Sequence, residues 1–199
     1  MARLGREASV PPEIKDDLEA ISSEGQRAAN VVKNILSFAR SHTLSAQPME
    51  INTVISQVLS LRAYKHRVNT IEVVTHFAPN LPEIVADRFQ IQQVFLNIVL
   101  NAEQAMIDSK GRGSLTVTTE LSGDIIRIAF ADNGPGIPAD IINRIFDPFF
   151  TTKEVGKGTG LGLSICYGIV TKQVGRIFAQ SQPGQGATFI IELPRTAPD

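Results

Sequence analysis

The sequence predicts an α/β two-layer sandwich, a mixed sheet with helices on one face, preceded by a long N-terminal helix. Three observations lead there. Strand-length runs rich in β-branched residues recur between Thr70 and Leu193, bounded by Gly, Pro and Asn. Segments with helical period fall among them, at about 51–64, 87–106 and 161–172. A separate apolar seam occupies residues 12–42, ahead of the mixed region.

Composition bounds the function classes. A chain of 199 residues with a hydrophobic fraction of 43% holds one domain, or one domain plus a helical appendage. The net charge of −1 gives no global field toward nucleic acid or acidic lipid. The single cysteine, Cys166, excludes a disulfide framework and a Cys-based metal cluster, and it fits a reducing compartment. No apolar run approaches the ~20 residues of a membrane span. The start, MARLGREASVPPE, lacks the apolar core of a signal peptide. The expectation is a soluble cytoplasmic chain with no membrane segment and no nucleic-acid partner.

The elements follow in order. Residues 1–10 read as frayed, and Pro11 and Pro12 suit a first helical turn. Ile14, Leu18, Ile21, Gly25, Ala28, Val32, Ile35 and Ala39 then alternate spacings of four and three, a helix seam that calls for a helical partner. Ser41–Pro48 reads as a polar linker. A helix over Ile51–Tyr64 turns Ile51, Val54, Ile55, Val58, Leu59 and Leu61 inward. A strand covers Thr70–Phe77, a turn Ala78–Pro82 and a short strand Glu83–Ala86. Asp87 is placed to cap a helix running to about Met106, with a polar turn over Ile107–Gly113. Strands Ser114–Leu121 and Asp124–Ala131 flank the hairpin-like Ser122–Gly123. After a glycine-rich region, a helix spans Leu161–Lys172. Strands Arg176–Ser181 and Ala187–Leu193 close the chain around Pro183, Gly184 and Gly186.

Three stretches carry chemistry. On the helix 87–106, Gln93, Asn97, Asn101 and Gln104 form an amide stripe among apolar residues. For Gln104 a solvated face explains the position as well as a site does. Asn97 and Asn101, flanked by apolar residues, point to a polar cavity. An Asn carbonyl with phosphate oxygens and waters is how Mg²⁺ is usually held. Asp132 ends a strand before Asn133-Gly134-Pro135-Gly136. Its carboxylate only accepts hydrogen bonds, so it suits the exocyclic amine of adenine and repels the carbonyl of guanine. The same residues also suit a plain turn. The loop Gly156–Gly162 is not a Walker loop, since no Gly stands five residues before Gly156-Lys157 and Gly158 follows the Lys. It is not a dinucleotide fingerprint either, since Leu161 stands where a third Gly is required. It remains a mobile loop entering a helix N-terminus, a phosphate site to which Lys153 and Lys157 add charge. Phe146, Phe149 and Phe150 fit either a hinge anchor for that loop or plain core.

Four segments in order, NIVLNAEQA, DNGPGIP, IFDPFFTTK and GKGTGLGLSI, resemble the N, G1, F and G2 boxes of the sensor histidine kinase ATP-binding domain. That is the GHKL or Bergerat fold shared with gyrase, heat-shock chaperones and mismatch-repair ATPases, and the likeness spans about 50–195. It implies an ATP-binding catalytic domain over 49–195, with ATP and Mg²⁺ as its ligands. By that likeness Asn101 holds Mg²⁺ and Asn97 lines the phosphate site. Asp132 receives the adenine amine, flanked by Gly134, Gly136 and Ile137. Gln104, Phe150, Thr151, Lys153, Lys157, Gly158, Thr159, Gly160, Leu161, Gly162 and Thr188 complete the nucleotide contacts. Lys153 joins Asn97 and Asn101 as the residues expected to act in the chemistry. FDPFFTTK resembles the nitrogen-regulation subgroup with short lids. QRAANVVKNILSFAR, within a first domain at 1–45, resembles the second helix of the family's dimerisation and phosphoacceptor hairpin, which implies a homodimer through this helix.

The departures are as informative. Nothing like the family's H-E-x-x-N-P occurs; the histidines are His42, His66 and His76, none with the right neighbours. Ala187 stands where Ser or Thr is frequent, and Thr188 is the expected substitute. TKQVG at 171–175 replaces an acidic residue, His and two glycines. Asn97 occupies the position of the catalytic Glu in gyrase-like ATPases, and an Asn is no base. The expected reaction is therefore γ-phosphate transfer to a His outside this chain, in the same kinase or in trans, for relay to an Asp on a response regulator receiver domain. A fragment of a longer kinase is the preferred explanation. The alternatives are an ATP-binding regulatory module without phosphotransfer and a gyrase-like ATPase.

Overall fold

The computed structural model of the chain describes residues 46–153 and 158–195, together with Ile14, Asp17, Leu18, Ile21 and Gly25. Two compact units make up the chain, Met1–Arg40 with Thr152–Thr159, and Ser41–Thr151 with Gly160–Asp199. In the first unit, Ile14, Asp17, Leu18, Ile21 and Gly25 are helical, and the seam side chains Ile14, Leu18 and Ile21 are exposed. The rest of the helix expected over 12–42, and His42, lie outside the described residues.

The second unit is built on a five-stranded sheet. Its strands are β2 (Ile71–Phe77), β4 (Gly113–Ser122), β5 (Ile125–Asp132), β6 (Arg176–Ser181) and β7 (Ala187–Pro194), ordered β2-β4-β5-β7-β6. β2 runs parallel to β4, and the remaining pairs are antiparallel. The parallel pair needs a crossover, and the intervening chain supplies a helix for it. Helices α1 (Ile51–Val68), α2 (Arg88–Lys110) and α3 (Gly162–Lys172) cover one face. Alternation along the strands fixes that face. Leu115 and Val117, then Ile126, Ile128 and Phe130, then Phe189 and Ile191 are buried toward the helices. Phe95 of α2 meets Phe130 of β5 with ring centroids 5.6 Å apart. Asp87 caps α2 as expected, its Oδ1 accepting from the N–H of Phe89 at 2.9 Å and of Gln90 at 3.2 Å. Such a cap contributes about 1 kcal/mol.

The structure corrects several boundaries. The expected linker ends in a strand: β1 (Ala46–Met49) pairs antiparallel with β3 (Ile84–Asp87) as a separate two-stranded ribbon. Only Met49 of β1 is buried, so the segment looks polar in sequence while its backbone is paired. Helix α1 continues to Val68, and Leu61 is 65% exposed instead of inward. The inward stripe passes through Arg62 and His66, which sequence reading overlooked. Helix α2 continues through the expected turn to Lys110 and stops at Gly111, whose φ of 66° is the left-handed C-cap.

Arg62 and His66 face Glu103 of α2, which is buried. Glu103 Oε2 accepts from Arg62 at 2.5 Å, and Glu103 Oε1 lies 2.7 Å from His66 Nε2. The hydrogen bond to Glu103 holds the Arg62 guanidinium above its ordinary pKa against the opposing effect of burial. This cluster joins the C-terminal halves of α1 and α2. Glu103→Ala strands buried donors and is expected to lower stability by about 3 kcal/mol, the lower end for a broken buried pair because Arg62 retains some access to water. Glu120→Ala, which breaks the exposed pair with Arg127, is expected to cost less than ~0.5 kcal/mol. Urea unfolding of the two variants checks the contrast.

Candidate functional site

Asp132 stands at the last position of β5, on the helix-covered face, and is 9% exposed. Its Oδ1 accepts two backbone hydrogen bonds, from Gly134 N–H at 2.8 Å and from Ala187 N–H at 3.3 Å. Its Oδ2 accepts none from another described residue. Nor is Oδ2 sealed in: among the described residues the one fully buried, unpaired side-chain oxygen is Gln90 Oε1. Asp132 thus has one oxygen spent on holding itself in place and one without a partner among the described residues. Burial pushes its carboxyl above the ordinary 3.8, and the N–H groups of Gly134 and Ala187 oppose that shift.

Helix α2 lays out the rest in a line. Asn97 Nδ2 donates to the carbonyl of Gly162, the first residue of α3, at 3.3 Å. Beneath it the buried Cys166 thiol donates to the Val94 carbonyl at 3.8 Å, and burial pushes its pKa up to about 12. One turn on, Asn101 is half-buried and makes no side-chain hydrogen bond with a described residue. One turn further, Ala105 touches the Asp132–Gly134 segment: a Cβ on Gly134 would sit 3.5 Å from Ala105 Cβ. From Asn97 to Ala105 the helix advances about 12 Å. Between its two contacts the only unspent polar side chain is the Asn101 amide.

Gln104 does not join this line. It is exposed, and its Nε2 donates to Asp108 on the same helix at 2.6 Å, which is the solvated-face explanation. Thr188 does not join either. It pairs with Ala131 across the β5–β7 ladder, and paired residues share a face. Asp132 and Ala187 point to the helices, so Thr188 points to the opposite side of the sheet and cannot replace a hydroxyl at 187.

The Asp132–Pro138 loop is shaped by close backbone approach. Gly136 has φ 75°, and a Cβ there would stand 2.3 Å from the carbonyl oxygen of Gln182. The tight neighbour of this glycine is therefore the β6–β7 turn. Ile137 is half-buried against the core. Phe146 and Phe150 also pack on the core, and Phe146 meets Tyr167 of α3 with ring centroids at 6.1 Å. Phe149 does neither of the expected jobs. It is 71% exposed and held at φ 65°. Its backbone lies against Gly160, where a Cβ would be 2.4 Å from the Phe149 carbonyl carbon. Leu161 packs on the core, Gly162 opens α3, and Thr151 is exposed. Lys153, Gly158 and Thr159 belong to the first unit, and Lys157 lies outside the described residues.

Two further features bear on chemistry. Among the described residues no group of three or more His, Cys, Asp or Glu side chains is gathered to cage a metal. A cation at this site would need ligand oxygens from elsewhere, as Mg²⁺ on a polyphosphate has; the unspent Asn101 amide fits that arrangement. Of the described histidines, His66 is buried against Glu103 and His76 is exposed on β2. Among the described residues no helix is long and apolar enough to cross a membrane.

Comparison with known proteins identifies the fold. The family model described as "Histidine kinase-, DNA gyrase B-, and HSP90-like ATPase" matches residues 86–197. The sensor kinase CckA of Brucella abortus is 37% identical over 194 residues, covering 90% of this chain and 20% of CckA. The sensor histidine kinase ZraS of Escherichia coli K12 is 38% identical over 178 residues, covering 88% of this chain and 37% of ZraS. The chain thus spans well under half the length of these relatives. The catalytic domain of histidine kinase ThkA superposes with a TM-score of 0.68 at 34% identity, covering 77% of this chain and 97% of that domain. Full-length ShkA in complex with AMPPNP gives a TM-score of 0.77 at 29% identity, covering 94% of this chain and 40% of ShkA. The α/β sandwich with helices on one face is the GHKL fold, and this chain belongs to the family of histidine kinase-, DNA gyrase B- and HSP90-like ATPases as a catalytic domain of the sensor histidine kinase type.

Proposed function

We propose that this chain binds ATP with Mg²⁺ and donates the γ-phosphate to a histidine of a sensor kinase, for relay to an aspartate on a response regulator. The observation that carries the proposal is Asp132, fixed through Oδ1 by Gly134 and Ala187 and open at Oδ2. An open, ionised acceptor on a rigid sheet end matches the donor amine of adenine and repels a guanine carbonyl. The likeness to ShkA, solved with AMPPNP, supports the same reading.

The roles of the residues follow. Asp132 orients the base, with Gly134, Gly136 and Ile137 beside it. Asn101 offers its amide oxygen to the cation, and Asn97 ties the phosphate end of α2 to the start of α3. When bound, Mg²⁺ neutralises charge building on the phosphate oxygens during transfer. Thr151, Lys153, Lys157, Gly158, Thr159, Gly160, Leu161 and Gly162 form the segment over the phosphates. In the transfer, the bond from the γ-phosphorus to its bridging oxygen breaks, a bond from a histidine nitrogen to phosphorus forms, and ADP leaves. The acceptor comes from the phosphoacceptor helix, in the same kinase or in trans. The exposed seam Ile14, Leu18 and Ile21 supports a homodimer through the N-terminal helix. ThkA has been solved with its response regulator, which supports a receiver domain as the downstream partner. A cytoplasmic location and the nitrogen-regulation-like subgroup, the latter suggested by FDPFFTTK, complete the reading. Asn97 argues against a gyrase-like ATPase, because an amide already bound to Gly162 activates no water.

Transfer is tested by incubating the chain with γ-labelled ATP and a phosphoacceptor-helix fragment. Label on the fragment's histidine is expected; ATP binding without labelled acceptor would leave a regulatory module instead. The Asp132 assignment has a pH signature. Its raised pKa means the ionised carboxylate costs stability above that pKa, and the cost disappears as pH falls through it. Asp132→Asn is therefore expected to be at least as stable as wild type at neutral pH, yet to bind ATP at least tenfold more weakly, the scale of a hydrogen bond to a charged group. The gap between the two proteins in calorimetric titrations should close on acidification, starting above the ordinary carboxylate range. Asn101→Ala is expected to lose about tenfold of the preference for ATP with Mg²⁺ over ATP in chelator; an unchanged preference would remove Asn101 from the metal's coordination.

A further inference from the structure

The loop that carries Asp132 is not held by its own strand alone. It is laced to the turn between β6 and β7. Gly184 N–H donates to the Pro135 carbonyl at 2.7 Å, and Ala187 N–H to Asp132 Oδ1 at 3.3 Å. The remaining link is the Ser181 hydroxyl. Ser181 Oγ accepts from Ile137 N–H at 2.7 Å and donates to the Gly186 carbonyl at 2.7 Å. One hydroxyl thus joins the far end of the Asp132–Pro138 loop to the residue preceding Ala187. Register makes this possible: Ser181 pairs with Ala187 across the β6–β7 ladder. Asp132 and Ser181 therefore flank Ala187 from opposite sides on the helix-covered face.

We propose that Ser181 is a positioning residue for the base end of the nucleotide site, holding the Asp132–Pro138 loop so that Asp132 Oδ2 stays turned to the ligand. The proposal rests on the ATP-binding reading above. Of the other two links, that from Gly184 to Pro135 runs between backbone atoms, which substitution leaves in place, and that from Ala187 ends on the Asp132 carboxylate at the root of the loop. Loss of the Ser181 hydroxyl frees Ile137 N–H and the Gly186 carbonyl at once. The loop then loses its outer anchor while Gly134 and Ala187 still hold the carboxylate at its root. The effect belongs to whatever contacts the base, and not to the phosphates, which lie along α2 toward Asn97 and Gly162.

The test uses the full chain and three probes in titration calorimetry: ATP, adenosine and inorganic tripolyphosphate. Ser181→Ala is expected to weaken adenosine and ATP by the same factor, about three- to tenfold, and to leave tripolyphosphate unchanged. Ser181→Thr keeps a hydroxyl on a strand position and is expected to bind adenosine within about twofold of wild type. A thermal melt of each variant accompanies the titrations. Unchanged adenosine binding by Ser181→Ala overturns the role. So does a parallel loss of tripolyphosphate, which marks general loosening of the fold. Failure of the wild-type chain to bind ATP or adenosine at all is a different result: it overturns the nucleotide reading itself, and the positioning role with it.

Discussion

The carboxylate of Asp132 is a charge kept nearly out of water at the end of a strand, and the cost of keeping it there shapes everything around it. A buried carboxylate needs donors. The fold supplies two backbone N–H groups, one from the loop that follows β5 and one from the start of β7. Both land on the same oxygen, so the neighbouring loops must approach from one side. That requirement explains the left-handed Gly136 against Gln182 and the hydrogen bond from Gly184 to Pro135. It also leaves the other oxygen without a donor among the described residues.

Helix α2 answers a second constraint. It must bury a wide face against the sheet, including Phe95, Ile98, Val99, Ala102 and Met106, and still present polar atoms along one edge. It does so by giving each polar side chain a different fate. Asn97 is tied to Gly162, Glu103 to Arg62 and His66, and Gln104 to Asp108. Asn101 alone of these has no partner among the described residues, in the stretch between the start of α3 and the Asp132 loop. The apolar burial fixes the helix, and the fixed helix holds one uncommitted amide in place.

Periodicity and turn chemistry carried most of the fold. The Asp87 cap, the β6 boundaries and the helical face of α2 all follow from local rules, so they were legible from residues alone. What was not legible came from distance in sequence. Leu61 fits an inward stripe as well as Arg62 does, until Glu103, forty-one residues away, supplies a charge for Arg62 to meet. Thr188 looks like a shifted substitute for a hydroxyl at 187, but a one-residue shift on a strand changes the face. Ser181 carried no signal of its own, since a serine ending a strand is ordinary. Only the register with Ala187 makes it a link between two loops. Gly136, expected to flank the base, has the protein itself as its close neighbour, the Gln182 carbonyl.

The two ends of the site differ in kind. At the base end the chain is cross-linked by hydrogen bonds from three segments, and its acceptor sits on a sheet. At the other end, the strained backbone of Phe149 is pressed against Gly160, so the chain enters and leaves the glycine-rich segment at nearly one point. A loop whose ends are already together has its closure entropy set by that contact.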